Sequence, residues 1–154
     1  MGTNDAEPQV EEKRLEPLLV AGIRMRGRYR DCGVAFGKLG RQFGRLISGP
    51  PLLLIYDREF REDDADFEAC LPLREARAAE GVDVRELPGG RCLSLLHRGP
   101  YEEIGRSYGR LFQHLQTLGV QPELPTREVY LKGPGMFFRG NPRKYLTEIQ
   151  ALLP

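Results

Sequence analysis

The strongest constraint on this chain is that its second half repeats its first. Arg26-Gly27-Arg28-Tyr29 returns as Arg98-Gly99-Pro100-Tyr101, a shift of 72 residues. The same shift carries Gly33 to Gly105, Phe36 to Tyr108, Gly37 to Gly109, Leu39 to Leu111 and Leu46 to Leu118. Ile55-Tyr56 then matches Val129-Tyr130 at a shift of 74, and Phe67-Glu68 matches Thr147-Glu148 at 80, as insertions accumulate. Matches in this order and nearly in register define two tandem copies of one unit of about 70 residues.

The hydrophobic periods say what the unit is. From Leu18 to Tyr29 the chain alternates, with Ile23, Met25, Gly27 and Tyr29 on one face and Arg24, Arg26, Arg28 and Arg30 on the other, which is a half-buried strand. Phe36, Leu39, Phe43 and Leu46 fall at helical spacing within 33–47, and Ser48-Gly49-Pro50-Pro51 stops that helix. Residues 52–57 and 67–73 read as two further strands joined by an acidic hairpin, so the first unit is β-α-β-β. The second repeats that order: a strand over 91–97, a helix from about Tyr101 to Leu118 ending at Gly119, and strands over 128–132 and 145–153. Two such units predict an α+β domain built as a tandem pseudo-twofold pair, with repeat units at about 15–80 and 82–154 and a flexible segment at 1–14. A cleft is expected at the seam between them.

Composition removes whole classes of function. The 154 residues carry 23 Lys+Arg against 22 Asp+Glu, so no global field draws the chain to nucleic acid or to an anionic membrane surface. Cys32, Cys70 and Cys92 form no CxxC pair and are odd in number, which argues for a reducing compartment. His97 and His114 lie at no zinc-ligand spacing from them, so no metal and no cofactor is expected. The first 14 residues lack the apolar core of a signal peptide, and the run Leu52–Tyr56 is too short to span a bilayer. A cytoplasmic protein without membrane contact is expected.

No nucleotide-binding, zinc-protease, nucleophile-elbow or calcium-loop motif is present. The arginine row of the first strand reads more simply as a solvated face than as a phosphate grip, having no aromatic platform beside it. Gly33, Gly37, Gly40 and Gly44, with Gly105 and Gly109, lie along one face of each helix and each costs helix stability. Either the helices approach the sheet closely there, or bare backbone leaves room for a flat ligand. Glu128 is more informative. At the 74-residue shift its counterpart is Leu54, so one half carries a carboxylate where the other carries leucine. A carboxylate in an apolar slot is costly unless a cation or a proton completes it; the plainer reading is an exposed edge glutamate beside Arg127 or Lys132. Glu148 has an acidic counterpart, Glu68, which favours a structural role in both units. Seven Phe and six Tyr include Phe36, Tyr56, Tyr101, Tyr108, Tyr130, Phe137, Phe138 and Tyr145, and rings around a carboxylate suit a lipophilic cation.

From Leu18 to Pro154 the chain resembles the GyrI-like small-molecule-binding domains, which also serve as effector modules of AraC-type and MerR-type multidrug regulators. The resemblance rests on His97-Arg98-Gly99-Pro100-Tyr101, on Arg127-Glu128-Val129-Tyr130-Leu131, and on Gly140-Asn141-Pro142 through Tyr145-Leu146-Thr147-Glu148-Ile149. It implies two SHS2-like β-α-β-β modules with a ligand cleft between them and an acidic residue in that cleft, which by position is Glu128. Family pocket aromatics fall on Phe36 and Tyr145, and Ile104 stands where some relatives have an aromatic ring. No helix-turn-helix fits within the first 17 residues, so no direct DNA binding by this chain is expected.

The sequence therefore points to a binding protein for bulky hydrophobic cations, with multidrug or toxin sequestration or sensing as its role. Phe36, Tyr108 and Tyr145 would stack on the ligand, Glu128 would neutralise it, and Tyr56 and Tyr130 would support. Two rival readings follow from stand-alone relatives. One is a hydrolase of strained, cyclopropane-containing toxins using Glu128 as general base. The other is an interaction protein that inhibits gyrase, with a topoisomerase or a regulator as partner.

Overall fold

The computed structural model describes residues 9–133 and 141–154. Phe137, Phe138 and Gly140 lie outside the described residues. Eight strands, β1 (Glu11–Leu15), β2 (Leu18–Gly27), β3 (Leu52–Ile55), β4 (Ala65–Pro72), β5 (Asp83–Leu87), β6 (Gly90–Arg98), β7 (Glu123–Lys132) and β8 (Leu146–Leu152), form one antiparallel sheet in the order β1-β6-β8-β7-β3-β4-β2-β5. The sheet curls into an open half-barrel and carries two helices, α1 (Cys32–Phe43) and α2 (Ile104–Leu118), the mixed α+β class expected.

Both helices follow from their apolar stripes. In α1, Ala35, Leu39 and Phe43 are buried at four-residue spacing; in α2, Ser107, Leu111 and Leu115 are. α2 closes at Gly119 in the left-handed conformation (φ 69°), a position that disfavours a side chain. Each helix is entered through a 3-10 turn, Tyr29–Asp31 and Tyr101–Glu103, so the residues expected to end the first strand and to begin the second helix sit in turns instead.

Cross-strand partners share a face of a sheet, so register decides which residues meet. One row crosses six strands: Leu95 pairs with Ile149, Ile149 with Glu128, Glu128 with Leu53, Leu53 with Ala69, and Ala69 with Ile23. This row faces the helices. Leu111 and Leu115 pack on Leu95 and Ile149, and Ala35 and Phe36 pack on Leu53 and Ala69. The other face turns Val20, Leu52, Leu54, Cys70 and Leu87 towards the interior of the curl.

The row corrects the repeat alignment at its weakest point. The 80-residue shift takes Ala69 to Ile149, and their β3 and β7 partners are Leu53 and Glu128. Glu128 therefore corresponds to Leu53, not Leu54, and the shift across these strands is 75. The contrast of carboxylate against leucine stands, on a residue one place earlier. Tyr56 and Tyr130, equated at 74, lie on opposite faces.

β1 and β5 had no local signal, and β1 falls within the segment expected to be flexible. Their sequences, EEKRL and DVREL, are charged and short. They are fixed by pairing: β1 lies on β6 and β5 on β2. Leu18 pairs with Leu87 and Leu15 with Gly90, three residues along each chain, so the two pairings continue one another without a slip. The connections 16–17 and 88–89 cross at that point. A Cβ on Gly89 would stand 2.3 Å from the Leu15 carbonyl oxygen, so only glycine admits the crossing. Each edge strand also brings a cation to a buried carboxylate at corresponding positions of the two halves. Arg85 of β5 holds Glu68 at 2.7 Å, and Lys13 of β1 holds Glu148 at 2.5 Å. Burial works against the charge on Glu148, but Lys13, Ser94 and Gln150 together hold its carboxyl below the ordinary range.

Candidate functional site

Glu128 interrupts an otherwise apolar row on the floor between the two helices, and its surroundings are phenolic. The Tyr108 hydroxyl, from α2, donates to Oε2, and the Tyr130 hydroxyl, two residues along β7, donates to Oε1 at 2.8 Å. Two residues along a strand return to the same face, which is why Tyr130 can reach its neighbour's carboxylate. Burial pushes the Glu128 carboxyl above its ordinary value; the two phenol hydrogen bonds and the nearby His97 ring oppose that rise without cancelling it. The same burial, with the Glu128 charge adding to it, drives the Tyr108 and Tyr130 hydroxyls well above the usual phenol range. Both remain donors at neutral pH. By whole-residue surface area Glu128 is half-buried.

Rings surround it in a connected chain. Phe36 meets Tyr130 edge-on at 6.4 Å, Tyr130 meets Tyr101 edge-on at 5.6 Å, and Tyr101 meets Tyr145 at 5.2 Å. Tyr29 couples electrostatically to both Glu128 and Tyr108, and burial pushes its hydroxyl up to about 12. Tyr29 also packs on Phe67 at 5.3 Å and on the exposed Phe60 at 5.9 Å. Cys32, the first residue of α1, feels the same carboxylate and its thiol rises to about 11, mainly through burial.

His97 lies behind this group. The Pro100 carbonyl can only accept, so Nε2 carries a proton and donates to it at 3.0 Å, and Nδ1 is hydrogen-bonded to the Ser107 hydroxyl at 2.8 Å. The ring is thereby locked and has no free nitrogen.

Phe36 and Tyr108 occupy corresponding helical positions; Gly33 and Gly40 lie one turn to either side of Phe36 and Gly105 one turn before Tyr108, while Gly109 directly follows Tyr108. A Cβ at any of these four would meet nothing within 4 Å beyond its own helix. Close packing of helix on sheet therefore does not explain them, and open space does.

Of the sequence candidates, Glu128, Phe36, Tyr108 and Tyr130 converge. Tyr145 joins at second hand through Tyr101 and is itself buried. Ile104 packs on the core cluster of Leu93, Leu95 and Leu111. Tyr56 does not belong: it lies on the opposite face, donating to Glu68 at 3.0 Å with the Arg24 guanidinium 3.6 Å over its ring. The alternative partners for Glu128, Arg127 and Lys132, are not its partners, and Arg127 is buried on the far face, donating to the Pro88 carbonyl at 2.7 Å. Tyr29, Tyr101 and Cys32 were missed as site residues. The first two were within reach of the repeat, since they are the paired tyrosines of its opening match.

Among the described residues no three His, Cys, Asp or Glu side chains converge as a metal site, and no helix is long and apolar enough to cross a membrane. No curated protein matches the sequence significantly. Among solved structures, the EcmrR C-terminal domain superposes with a TM-score of 0.82 at 20% identity, covering 96% of this chain and 98% of that one. A hydrolase from Listeria innocua gives 0.67 at 15% identity over 99% and 96%. SAV2435 bound to tetraphenylphosphonium gives 0.61 at 15% over 95% and 94%. At these identities the likeness is one of fold. The model of the GyrI-like small molecule binding domain matches residues 8–153, and the chain belongs to that family.

Proposed function

We propose that the cleft between α1 and α2 binds bulky, lipophilic aromatic cations, with Glu128 as the neutralising charge and Phe36, Tyr108, Tyr130, Tyr101 and Tyr29 as its ring walls. The carrying observation is one carboxylate set in an apolar row, with each oxygen accepting from a phenol and no Lys or Arg paired with it among the described residues. Two phenols satisfy the carboxylate without neutralising it, so what it lacks is positive charge rather than hydrogen-bond donors. A delocalised cation offers charge without donors and presents flat apolar surface to the rings. The tetraphenylphosphonium held by the similarly folded SAV2435 is a ligand of that type. Sequestration or sensing of such compounds is the role this chemistry suits. The matching strand order of the two halves supports reading the cleft as the seam of a pseudo-twofold pair.

Tetraphenylphosphonium and rhodamine 6G titrated into wild type and Glu128→Gln test the proposal. Loss of a desolvated charge partner is expected to weaken both cations by about 1–3 kcal/mol. The neutral triphenylphosphine oxide should change far less. Equal losses for charged and neutral ligands would remove the charge-recognition claim.

A hydrolytic reading rests on the same residues: a carboxyl with a raised proton affinity, beside two phenols able to protonate a leaving group. Product release over many equivalents of a strained electrophile would favour it, and uptake that stops at one equivalent would favour binding.

A further inference from the structure

A second site lies away from the cleft, at the far end of α1. There a cavity of about 510 Å³ is lined by Arg41, Arg45 and Arg77 together with Gly44 and Glu75. Some exposed arginines elsewhere pair across strands or turns, as Arg24 does with Asp66, Arg28 with Asp63, Arg61 with Asp64 and Arg91 with Glu12, while others such as Arg14, Arg30 and Arg106 stand apart on the surface. Among the described residues none of the three cavity arginines forms such a pair, and all three are exposed.

The backbone and the core hold them around one space. Gly44 adopts φ 44° and ψ −111°, a conformation that a side chain would resist, and it ends α1 and begins the 3-10 turn Gly44–Leu46 that carries Arg45. Arg77 arrives from the irregular segment between β4 and β5 and lies over the Phe43 ring at 5.1 Å. Phe43 is 2% exposed, so this platform is fixed. A guanidinium stacked on a ring keeps its in-plane N–H groups free for an anion. Arg41 alone would be explained by the negative end of the helix, but that account does not reach Arg77, which belongs to another segment.

We propose that this cavity binds a compact polyanion of linked phosphates, a diphosphate group either free or carried on a small molecule. Three guanidiniums overmatch a single carboxylate. A phosphate carries about 1.5–2 negative charges at neutral pH, so two linked phosphates balance the three and offer the paired oxygens that the guanidinium fork engages. The Phe43 face is taken by Arg77, which leaves no ring for a base and places recognition on the phosphates themselves.

The test is calorimetric titration of sodium diphosphate into the whole chain at low ionic strength, with inorganic phosphate, ATP and a short DNA duplex as further arms. Saturable one-to-one binding of diphosphate is expected, at least about tenfold weaker in R45A/R77A and stronger in Glu75→Gln, which removes the one acidic side chain of the lining. Glu128→Gln should leave it unchanged, so this site stands or falls apart from the cleft. Circular dichroism of the variants should match wild type, since only exposed side chains change. ATP binding with the same variant pattern would identify a carried diphosphate as an acceptable form, and diphosphate alone the free anion. Absence of saturation below about 5 mM diphosphate, or unchanged affinity in R45A/R77A, would overturn the proposal. So would binding confined to duplex DNA.

Discussion

Replacing Arg85 with methionine isolates a buried carboxylate, and its cost can be worked from the contacts. Glu68 is 3% exposed and sits against the bare backbone of Gly22, where a Cβ would come within 2.1 Å of Oε2. Arg85 grips it with both terminal nitrogens, Nη1 to Oε2 at 2.8 Å and Nη2 to Oε1 at 2.7 Å, while Tyr56 donates to Oε1 at 3.0 Å. In Arg85→Met two charge-assisted hydrogen bonds vanish and one neutral bond remains. Breaking a buried pair on one side costs about 3–5 kcal/mol. The Arg85 side chain is 32% exposed, so water partly fills the gap and the cost falls below that range, to about 2–3 kcal/mol. Adding Glu68→Gln removes the stranded charge and should restore about 1–2 kcal/mol. Urea denaturation followed by far-UV circular dichroism at pH 7 measures both. A single-variant loss below about 0.5 kcal/mol, or a double variant no more stable than the single, would refute the reasoning.

The cleft carboxyl predicts a pH dependence. Its folded-state pKa is raised, so the ionised, cation-binding form is lost as pH falls through that value, starting above the ordinary 4.5. Tetraphenylphosphonium affinity measured from pH 8 to 4 should decline early in wild type and stay flat in Glu128→Gln; the same sign makes ionised Glu128 a cost to the empty fold above its raised pKa, relieved below the unfolded value. Gly89→Ala should destabilise by about 2 kcal/mol or more because its methyl meets backbone at the strand crossing, whereas Gly109→Ala, on the outward side of α2, should raise stability by about 0.5–1 kcal/mol and leave dye binding unchanged. Thermal melts and the dye titration read both, and a stable Gly89→Ala would contradict the crossing. Tyr56→Phe should cost about 1 kcal/mol through Glu68 and leave dye affinity untouched, and weaker dye binding would return Tyr56 to the cleft.

Legible in the sequence by itself were the two helices and the six strands whose apolar residues recur at helical or alternating spacing, along with an internal similarity between the two halves. Those signals are local, carried by each segment's own pattern. It also singled out Glu128, because a carboxylate opposite leucine is visible once two halves are compared. Tertiary structure alone decided which face each residue serves. A strand alternates with period two, so a shift of 74 where 75 holds moved Tyr56 in thought to the wrong side of the sheet while leaving every local pattern intact. It also decided β1 and β5, whose charged residues become strands only because β6 and β2 supply their hydrogen-bonding partners from distant parts of the chain.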